Sequence, residues 1–136
     1  KDKQEMTQEV YVPNVTGLTA AEAEEKLKAF GLKFMYEGEL KGPDAIIYNQ
    51  MPKADFSIPQ NSTIILYTEE NMAETVVTMP DLSNRTVPEA IEALERIGLN
   101  IRIRGSGTVQ KQEYPPGTQL KKGQVVEVSF VEMIGD

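Results

Sequence analysis

The side chains that usually carry out covalent or acid–base catalysis are scarce in this sequence. Its 136 residues include no histidine and no cysteine, so the commonest general base and the thiol nucleophile are both absent. No serine is followed three positions later by a lysine, and neither Ser-Asp-Asn nor Lys-Thr-Gly occurs, so the motifs of serine acyl-transfer enzymes are missing. We therefore predict no catalytic residue and no enzymatic activity for this chain.

A second group of polar side chains is suited to binding a ligand rather than transforming it. Gln50 and Gln112 can each hydrogen-bond with amides or hydroxyls, and Tyr114 lies close to the second glutamine in sequence. Arg85 and Arg104 carry guanidinium groups that bind carboxylates. Structural alternatives remain open, because the glutamines can instead tie down the adjacent turn and exposed arginines on strands are common without a ligand. These five residues form the candidate ligand-binding set.

Metal, cofactor, nucleic-acid and membrane sites are not expected. Glutamates such as Glu22 and Glu89 are explained by helix capping and solvation, and no acidic run has the spacing of a calcium loop. The net charge of −7 opposes binding to nucleic acid or to an anionic membrane surface. No segment approaches the roughly 18 apolar residues that cross a bilayer. Gly105-Ser106-Gly107 has no following lysine, so we predict a plain turn rather than a phosphate loop.

The elements that must position the candidate residues occur twice. The segment from Val12 to Ala23 returns from Met79 to Ala90 at an offset of 67 (80 − 13), and the offset is 62 (112 − 50) further along. The chain is therefore two copies of one small folding unit. The first copy has five extra residues around 37–44, which predicts a longer loop there.

Each copy contains the sequence signals of one helix. A Thr-x-x-Glu capping box begins at Thr19 and again at Thr86, and its two side chains satisfy the first free amides of a helix. Apolar residues then recur at steps of three and four, which gives one apolar stripe. A glycine follows directly and suits the left-handed residue that ends a helix. The pattern predicts helices over 20–30 and 87–97.

The remainder of each copy is predicted to form strands separated by turns rich in glycine and proline. The predicted strands are 32–36, 46–50, 64–67, 99–103, 108–112 and 125–130. The fold class is therefore α+β, with two tandem small domains, each containing one α-helix packed on a mainly antiparallel three-stranded sheet.

The repeat also sets the expected domain boundaries. Residues 1–9 are expected to be a leader or an added segment, 10–69 the first domain and 76–136 the second. Residues 70–75 are short and acidic, which is typical of a linker that permits some relative motion but does not span far. Because the sequence opens on a polar stretch without an initiator methionine, we expect it to be a piece of a longer protein.

The order of short motifs, found twice, resembles the PASTA domain. The shared order is Val/Met-Pro-Asn/Asp, a capping Thr, Glu-Ala, Gly-Leu, a Gln, Lys-Gly or its equivalent and a final Val- or Ile-rich strand, over roughly 10–69 and 76–132. Three substitutions depart from the pattern: Asn84 replaces a glycine, Asp55 stands where Gly117 does, and Tyr114 stands where Pro52 does. Asn and Asp tolerate a left-handed backbone, so we expect these turns to be kept.

The resemblance implies an extracytoplasmic location on the cell-wall side of a membrane-anchored parent in a Gram-positive bacterium. PASTA domains occur in penicillin-binding proteins and in Ser/Thr kinases, and the two copies with the segment 102–109 look more like the tail of a class B, sporulation-type penicillin-binding protein. A chain end at Met133–Asp136 suits that interpretation. The implied partners are peptidoglycan or a muropeptide, weakly a β-lactam, and the transpeptidase domain of the same chain. A structural spacer, a docking module and a kinase ectodomain are the alternatives.

Overall fold

The computed structural model describes residues 8–132, which divide into two compact units. One unit comprises Glu9–Thr75 and the other extends from Val76 to the end of the described chain. We call them the first and second domains. The chain end predicted at Met133–Asp136 lies outside the described residues, as does most of the expected leader.

The first domain contains one helix and five strands. The helix, α1, spans Ala20–Ala29, and the strands are β1 (Glu9–Tyr11), β2 (Lys33–Glu37), β3 (Asn49–Met51), β4 (Ser57–Pro59) and β5 (Thr63–Tyr67). Strand β5 is central in a three-stranded sheet of order β2-β5-β3, while β1 and β4 form a separate antiparallel ribbon.

The second domain repeats this arrangement in the same order. It contains α2 (Val87–Arg96) and the strands β6 (Val76–Thr78), β7 (Asn100–Gly105), β8 (Thr108–Gln112), β9 (Gln119–Lys121) and β10 (Val125–Val131). The three-stranded sheet has the order β7-β10-β8, and β6 pairs with β9 in an antiparallel ribbon.

The predicted α+β fold is confirmed, and the structure adds how the strands pair. In each three-stranded sheet the central strand, β5 or β10, runs parallel to β2 or β7 and antiparallel to β3 or β8. The two ribbons are antiparallel, so antiparallel pairing predominates in the described part of each domain.

The helix boundaries follow the predicted capping signals closely. The hydroxyls of Thr19 and Thr86 accept the backbone N–H of Glu22 and Glu89, whose carboxylates accept the N–H of the threonines in return. Each capping box therefore starts its helix by satisfying otherwise free amides. The glycine after each helix has a positive φ, 74° at Gly31, as the left-handed position requires.

Two turns that depart from the family pattern keep their backbone conformation. Asn84 has a φ of 64° and Asp55 a φ of 74°, so both residues adopt the left-handed conformation that was expected. Strand β3 begins at Asn49 rather than at Ile46, where the predicted strand 46–50 begins. Ile46 instead forms an isolated bridge with Thr19, which ties the start of α1 to the loop.

The core of each domain lies between the helix and one face of the three-stranded sheet. In the second domain Leu94 of α2 packs with Val126 and Val128 of β10, and all three are fully buried. In the first domain Tyr36 pairs with Leu66 and donates a hydrogen bond to Glu24 of α1, which identifies the same face. We call the opposite side of each three-stranded sheet its outer face.

Candidate binding site

Gln50 lies entirely inside the first domain. Its side chain is 1% exposed, its Nε2 donates to the carbonyls of Pro13 (3.0 Å) and Pro52 (3.1 Å), and its Oε1 accepts the N–H of Val15 (2.8 Å). The folded domain therefore offers no part of this side chain to a ligand. The geometry supports the structural alternative, in which the amide connects β3 to the loop that leads into α1.

Gln112 makes the equivalent set of bonds in the second domain. Its Nε2 donates to the carbonyls of Pro80 (3.0 Å) and Tyr114 (2.8 Å), and its Oε1 accepts the N–H of Leu82 (3.0 Å). The Tyr114 hydroxyl accepts a bond from Gln124 (3.1 Å), and its ring packs against the core. Both residues are half-buried, so their main interactions are internal although part of each reaches the surface.

The candidate residues do not form one patch. Gln112 opposes Val128, which belongs to the core, whereas Arg104 opposes Ser129, the next residue of β10. Because neighbouring residues of a strand point to opposite faces, Arg104 lies on the outer face and Gln112 on the core side. A concave patch joining Gln112, Tyr114 and Arg104, which would have favoured a shared ligand site, is therefore not present among these residues.

The outer face of the second domain carries Arg104, one of the two exposed arginines among the candidate residues. Arg104 is 57% exposed at its side chain, and its Nε lies 3.3 Å from a carboxylate oxygen of Glu127. In the rows of the sheet, Arg104 aligns with Ser129 and Lys111, and Arg102 aligns with Glu127. This face thus presents three cationic side chains and a hydroxyl beside two carboxylates, those of Glu127 and of Glu113, whose Oε1 accepts the Glu127 N–H (2.9 Å). The remaining excess of positive charge can accept an anionic group of a ligand.

Arg85 lies apart from this face, next to α2. Its Nε contacts the carbonyl of Asp81 at 3.5 Å, and its side chain borders a hollow of about 90 Å³ that also includes Glu89, Glu92 and Arg96. The alternating charges of this hollow neutralise one another, so it has no excess positive charge for a carboxylate ligand. Arg85 and Arg104 therefore belong to different surfaces.

The loop before α2 contains one carboxylate whose environment favours its charged form. The hydroxyl and the backbone N–H of Ser83 both donate to Asp81 (2.6 and 3.0 Å), and these bonds, with the nearby Arg85, lower the pKa of Asp81. A cavity of about 320 Å³ lies between this loop and β8 and reaches Gln112 and Pro116. The exposed part of Gln112 lines this cavity.

A cluster on the outer face of the first domain was not predicted from any local sequence pattern. The Tyr67 hydroxyl accepts the N–H of Thr75 (2.9 Å), and the Thr75 hydroxyl donates to Glu37 (3.0 Å). Glu74 accepts bonds from Lys53 (2.5 Å) and Asn49 (2.8 Å). The last two residues of the predicted linker thus bind the first domain. We call the four hydrogen bonds between these residues of the first domain and the segment Glu74–Thr75 the exit contact.

No metal cluster and no membrane-spanning helix occurs among the described residues. Over residues 8–132, no three potential ligands among His, Cys, Asp and Glu approach closely enough to hold a metal ion. Neither of the two helices in that range is long and apolar enough to cross a membrane.

The duplicated α+β unit, with one internal glutamine joining strand and loop in each copy, defines a tandem repeat of small non-catalytic modules. Residues 10–70 and 77–132 each match the sequence profile of the PASTA domain. Because the two matches cover most of the chain, it belongs to the PASTA family, as the sequence motifs predicted.

Several characterised proteins contain similar regions. The chain is 28% identical over 126 residues to the Ser/Thr-protein kinase PrkC of Bacillus subtilis, covering 85% of the chain and 19% of that protein. It is 28% identical over 130 residues to the probable Ser/Thr-protein kinase PknB of Corynebacterium glutamicum, covering 88% and 20%. The chain thus spans about a fifth of the length of these kinases.

Two solved structures are also similar to the chain. The three-PASTA-domain region of a Staphylococcus aureus Ser/Thr kinase is 26% identical, with a TM-score of 0.40, covering 93% of this chain and 67% of that one. Penicillin-binding protein 2X of Streptococcus thermophilus is 22% identical, with a TM-score of 0.38, covering 92% and 17%.

Proposed function

We propose that this chain is an extracytoplasmic, non-catalytic PASTA pair that binds uncrosslinked peptidoglycan weakly and so helps a cell-wall protein find its site of action. The observation that carries the proposal is the outer face of the second domain, where Arg104 and Lys111 align with Ser129 and Arg102 aligns with the neighbouring Glu127. A stem peptide of peptidoglycan ends in a carboxylate, which a guanidinium binds through paired hydrogen bonds. A β-lactam carboxylate has the same chemistry and is the comparison ligand.

The parent that we propose is a penicillin-binding protein, whose transpeptidase domain precedes the pair in the same chain. The two-copy arrangement and the segment 102–109 favour this parent. A membrane-anchored Ser/Thr kinase is the alternative, since the two curated relatives are kinases. In both cases the pair serves the cell-wall side of a membrane protein.

A structural spacer or protein-docking module is the second candidate function. It is favoured by the glutamines, because Gln50 and Gln112 use their amides within the domains rather than at a ligand surface. The two candidates differ in one measurable property, which is whether a muropeptide with a free carboxylate binds the outer face of the second domain.

The test is an NMR titration of the ¹⁵N-labelled chain with a synthetic muropeptide and with its counterpart amidated at the terminal carboxylate. We expect saturating shifts at Arg104, Lys111 and Ser129 with the free acid and about fivefold weaker binding of the amide. Arg104→Gln should weaken the binding of the free-acid muropeptide by a similar factor. Arg96→Gln is the matched control, because Arg96 is an exposed arginine that also pairs with a glutamate.

Three results would contradict the binding proposal. The absence of shifts at millimolar ligand would leave the spacer as the function. Equal weakening by Arg96→Gln and Arg104→Gln would indicate general charge attraction, which salt screens. Shifts confined to the surroundings of Arg85 would move the site to the hollow beside α2.

A further inference from the structure

The longer loop of the first domain forms the wall of a cavity. The connection between β2 and β3 runs from Gly38 to Tyr48, whereas β7 and β8 are joined only by Ser106 and Gly107. The cavity has a volume of about 440 Å³ and is lined by Glu39, Lys41, Ala45, Ile46, Tyr48, Thr68 and Glu69. Its size is within the range of small-molecule and side-chain binding sites.

Hydrogen bonds hold the walls of this cavity in place. The Glu69 carboxylate accepts the N–H of Glu39 (2.9 Å), and the Thr68 hydroxyl donates to the carbonyl of Glu39 (2.8 Å). At the other end of the loop, the N–H of Ala20 donates to the carbonyl of Ala45 (2.7 Å), which ties the loop to α1. Because the loop is anchored at both ends, a ligand would meet a preformed site and lose little free energy in ordering it.

The lining combines an aromatic ring, an aliphatic side chain and an excess of negative charge. Tyr48 is 47% exposed and Ile46 is 37% exposed. Two carboxylates, Glu39 and Glu69, face one ammonium group, that of Lys41. An exposed aromatic face beside carboxylates attracts a cation through the ring quadrupole and through charge.

The second domain has different chemistry at the equivalent positions. Thr108 stands in the place of Ile46 and Gln110 in the place of Tyr48, at the offset of 62 (112 − 50). The aromatic and aliphatic pair is therefore a property of the first domain alone, and it accompanies the inserted residues.

We propose that this cavity binds a basic side chain, Arg or Lys, of a protein partner. The cationic group lies over the Tyr48 ring near Glu69, and its aliphatic stem lies along Ile46, as long basic side chains pack on apolar surface. The net charge of −7 on the chain attracts a basic partner at longer range. This inference does not depend on the peptidoglycan proposal, since it concerns the other domain and a ligand of opposite charge.

The test uses two short peptides of the same shape and different charge. The ¹⁵N-labelled chain is titrated with acetyl-Leu-Arg-Leu-amide and with the citrulline counterpart, which replaces the guanidinium by a neutral urea group. We expect the arginine peptide to shift the amides of Lys41, Tyr48 and Glu69, and the citrulline peptide to bind about fivefold more weakly.

Two variants separate the ring from the charge. Tyr48→Ser removes the ring at a half-exposed position, and Glu69→Gln removes the charge while its amide oxygen can still accept the N–H of Glu39. Each should weaken the arginine peptide about threefold. The matched control, Gln110→Ser at the equivalent position of the second domain, should leave the affinity unchanged.

Four outcomes would overturn the proposal. The first is the absence of shifts in the cavity at millimolar peptide, and the second is equal binding of the citrulline peptide. The third is shifts spread over the acidic helix surfaces, and the fourth is stronger shifts of the cavity residues by a neutral N-acetylglucosamine disaccharide. The last outcome would assign the cavity to a glycan. Retention of the native spectrum by Glu69→Gln makes a loss of binding interpretable even if Tyr48→Ser perturbs the fold.

Discussion

The outer sheet faces of the two domains have the same backbone and opposite chemistry. In the first domain the central strand presents Ile65 and Tyr67 on this face, and both are fully buried. In the second domain the equivalent residues are Glu127 and Ser129, and they lie among cationic side chains at the surface. Because the helix side of each sheet already forms the core, the outer face is free to differ between copies.

The exit contact explains part of this difference. The Tyr67 side chain is buried with its own hydroxyl group, and a buried hydroxyl requires a hydrogen-bond partner. The backbone N–H of Thr75 is that partner. A serine at this position of the second domain is too short to make an equivalent bond. The two copies thus share the core and its internal glutamine. The outer face of the first domain binds the segment Glu74–Thr75, whereas the outer face of the second domain is accessible.

The largest expected effect comes from the feature that the domains share. Gln50→Ala should lower the free energy of unfolding of the first domain by about 4 kcal/mol, because three polar groups lose a buried partner. Gln112→Ala should cost the second domain about 2 kcal/mol, since water reaches the half-buried site. Urea denaturation followed residue by residue by NMR separates the two domains. The exposed Gln110→Ala is the control, and equal small losses in both domains would contradict this comparison.

The exit contact should contribute less. Tyr67→Phe removes the hydroxyl that accepts the Thr75 N–H and should cost the first domain about 1 kcal/mol. Ser129→Ala, at the equivalent position of the second domain, should change stability by less than about 0.5 kcal/mol. Amide exchange at Thr75 should accelerate in Tyr67→Phe. Unchanged protection of that amide would show that the contact is not formed in solution.

A third difference concerns alkaline pH. Burial, and then the hydrogen bond and negative charge of Glu24, raise the pKa of Tyr36 well above its usual range. The folded domain therefore prefers the neutral phenol. The stabilisation of the first domain by Tyr36 is complete below about pH 10 and is lost as the pH rises further. Ile103 and Ile91 occupy the equivalent positions of the second domain.

The experiment compares unfolding at pH 9 and pH 11. The first domain should lose more stability between these values in the wild-type chain than in Tyr36→Phe, whereas the second domain should respond equally in both. A first domain that responds identically with and without the Tyr36 hydroxyl would refute the assignment.

The smallest effect is expected at acidic pH, in the loop before each helix. Asp81 accepts two bonds from Ser83, and Asn14 accepts two equivalent bonds from Thr16 through a neutral amide. Since its pKa is lowered in the folded state, Asp81 stabilises the second domain above about pH 4, and this stabilisation is lost as the pH falls. Asp81→Asn should remove that dependence, and Asn14→Asp should introduce it in the first domain. The measurement is the denaturation midpoint of each domain at pH 5 and pH 3. An equal change of the midpoint in the wild type, Asp81→Asn and Asn14→Asp would contradict this role of Asp81.

The sequence predicted the elements with strong local signals. Capping boxes and glycines placed both helices within a residue or two, because the groups that start and end a helix are close in sequence. Local patterns do not identify strand partners, so the parallel pairing of β2 with β5 was not predicted. The ribbon strands such as Ser57–Pro59 have three residues, too few for an alternating pattern.

The site was harder to predict than the fold. A glutamine next to a strand can contact a ligand or form hydrogen bonds that hold a loop in place, and the sequence is equally consistent with both roles. The structure distinguishes the two roles because it shows that Gln50 bonds to Val15, which is 35 residues away in sequence. The short acidic segment 70–75 predicts a linker that permits some relative motion, and its composition does not indicate that Glu74 has Lys53 and Asn49 as partners. Partners this distant in sequence leave no local pattern.

The position of the central strand has a consequence for synthesis. In each domain the strand that joins both neighbours, β5 or β10, is the last of its three-stranded sheet to leave the ribosome. Neither sheet can form until that strand has emerged, so each copy must fold in a single late step rather than by gradual addition of strands. The first copy carries every strand of its own sheet, so it can finish before the second has been translated. The repeat therefore allows two short folding reactions, one after the other, in place of one folding reaction of the whole chain.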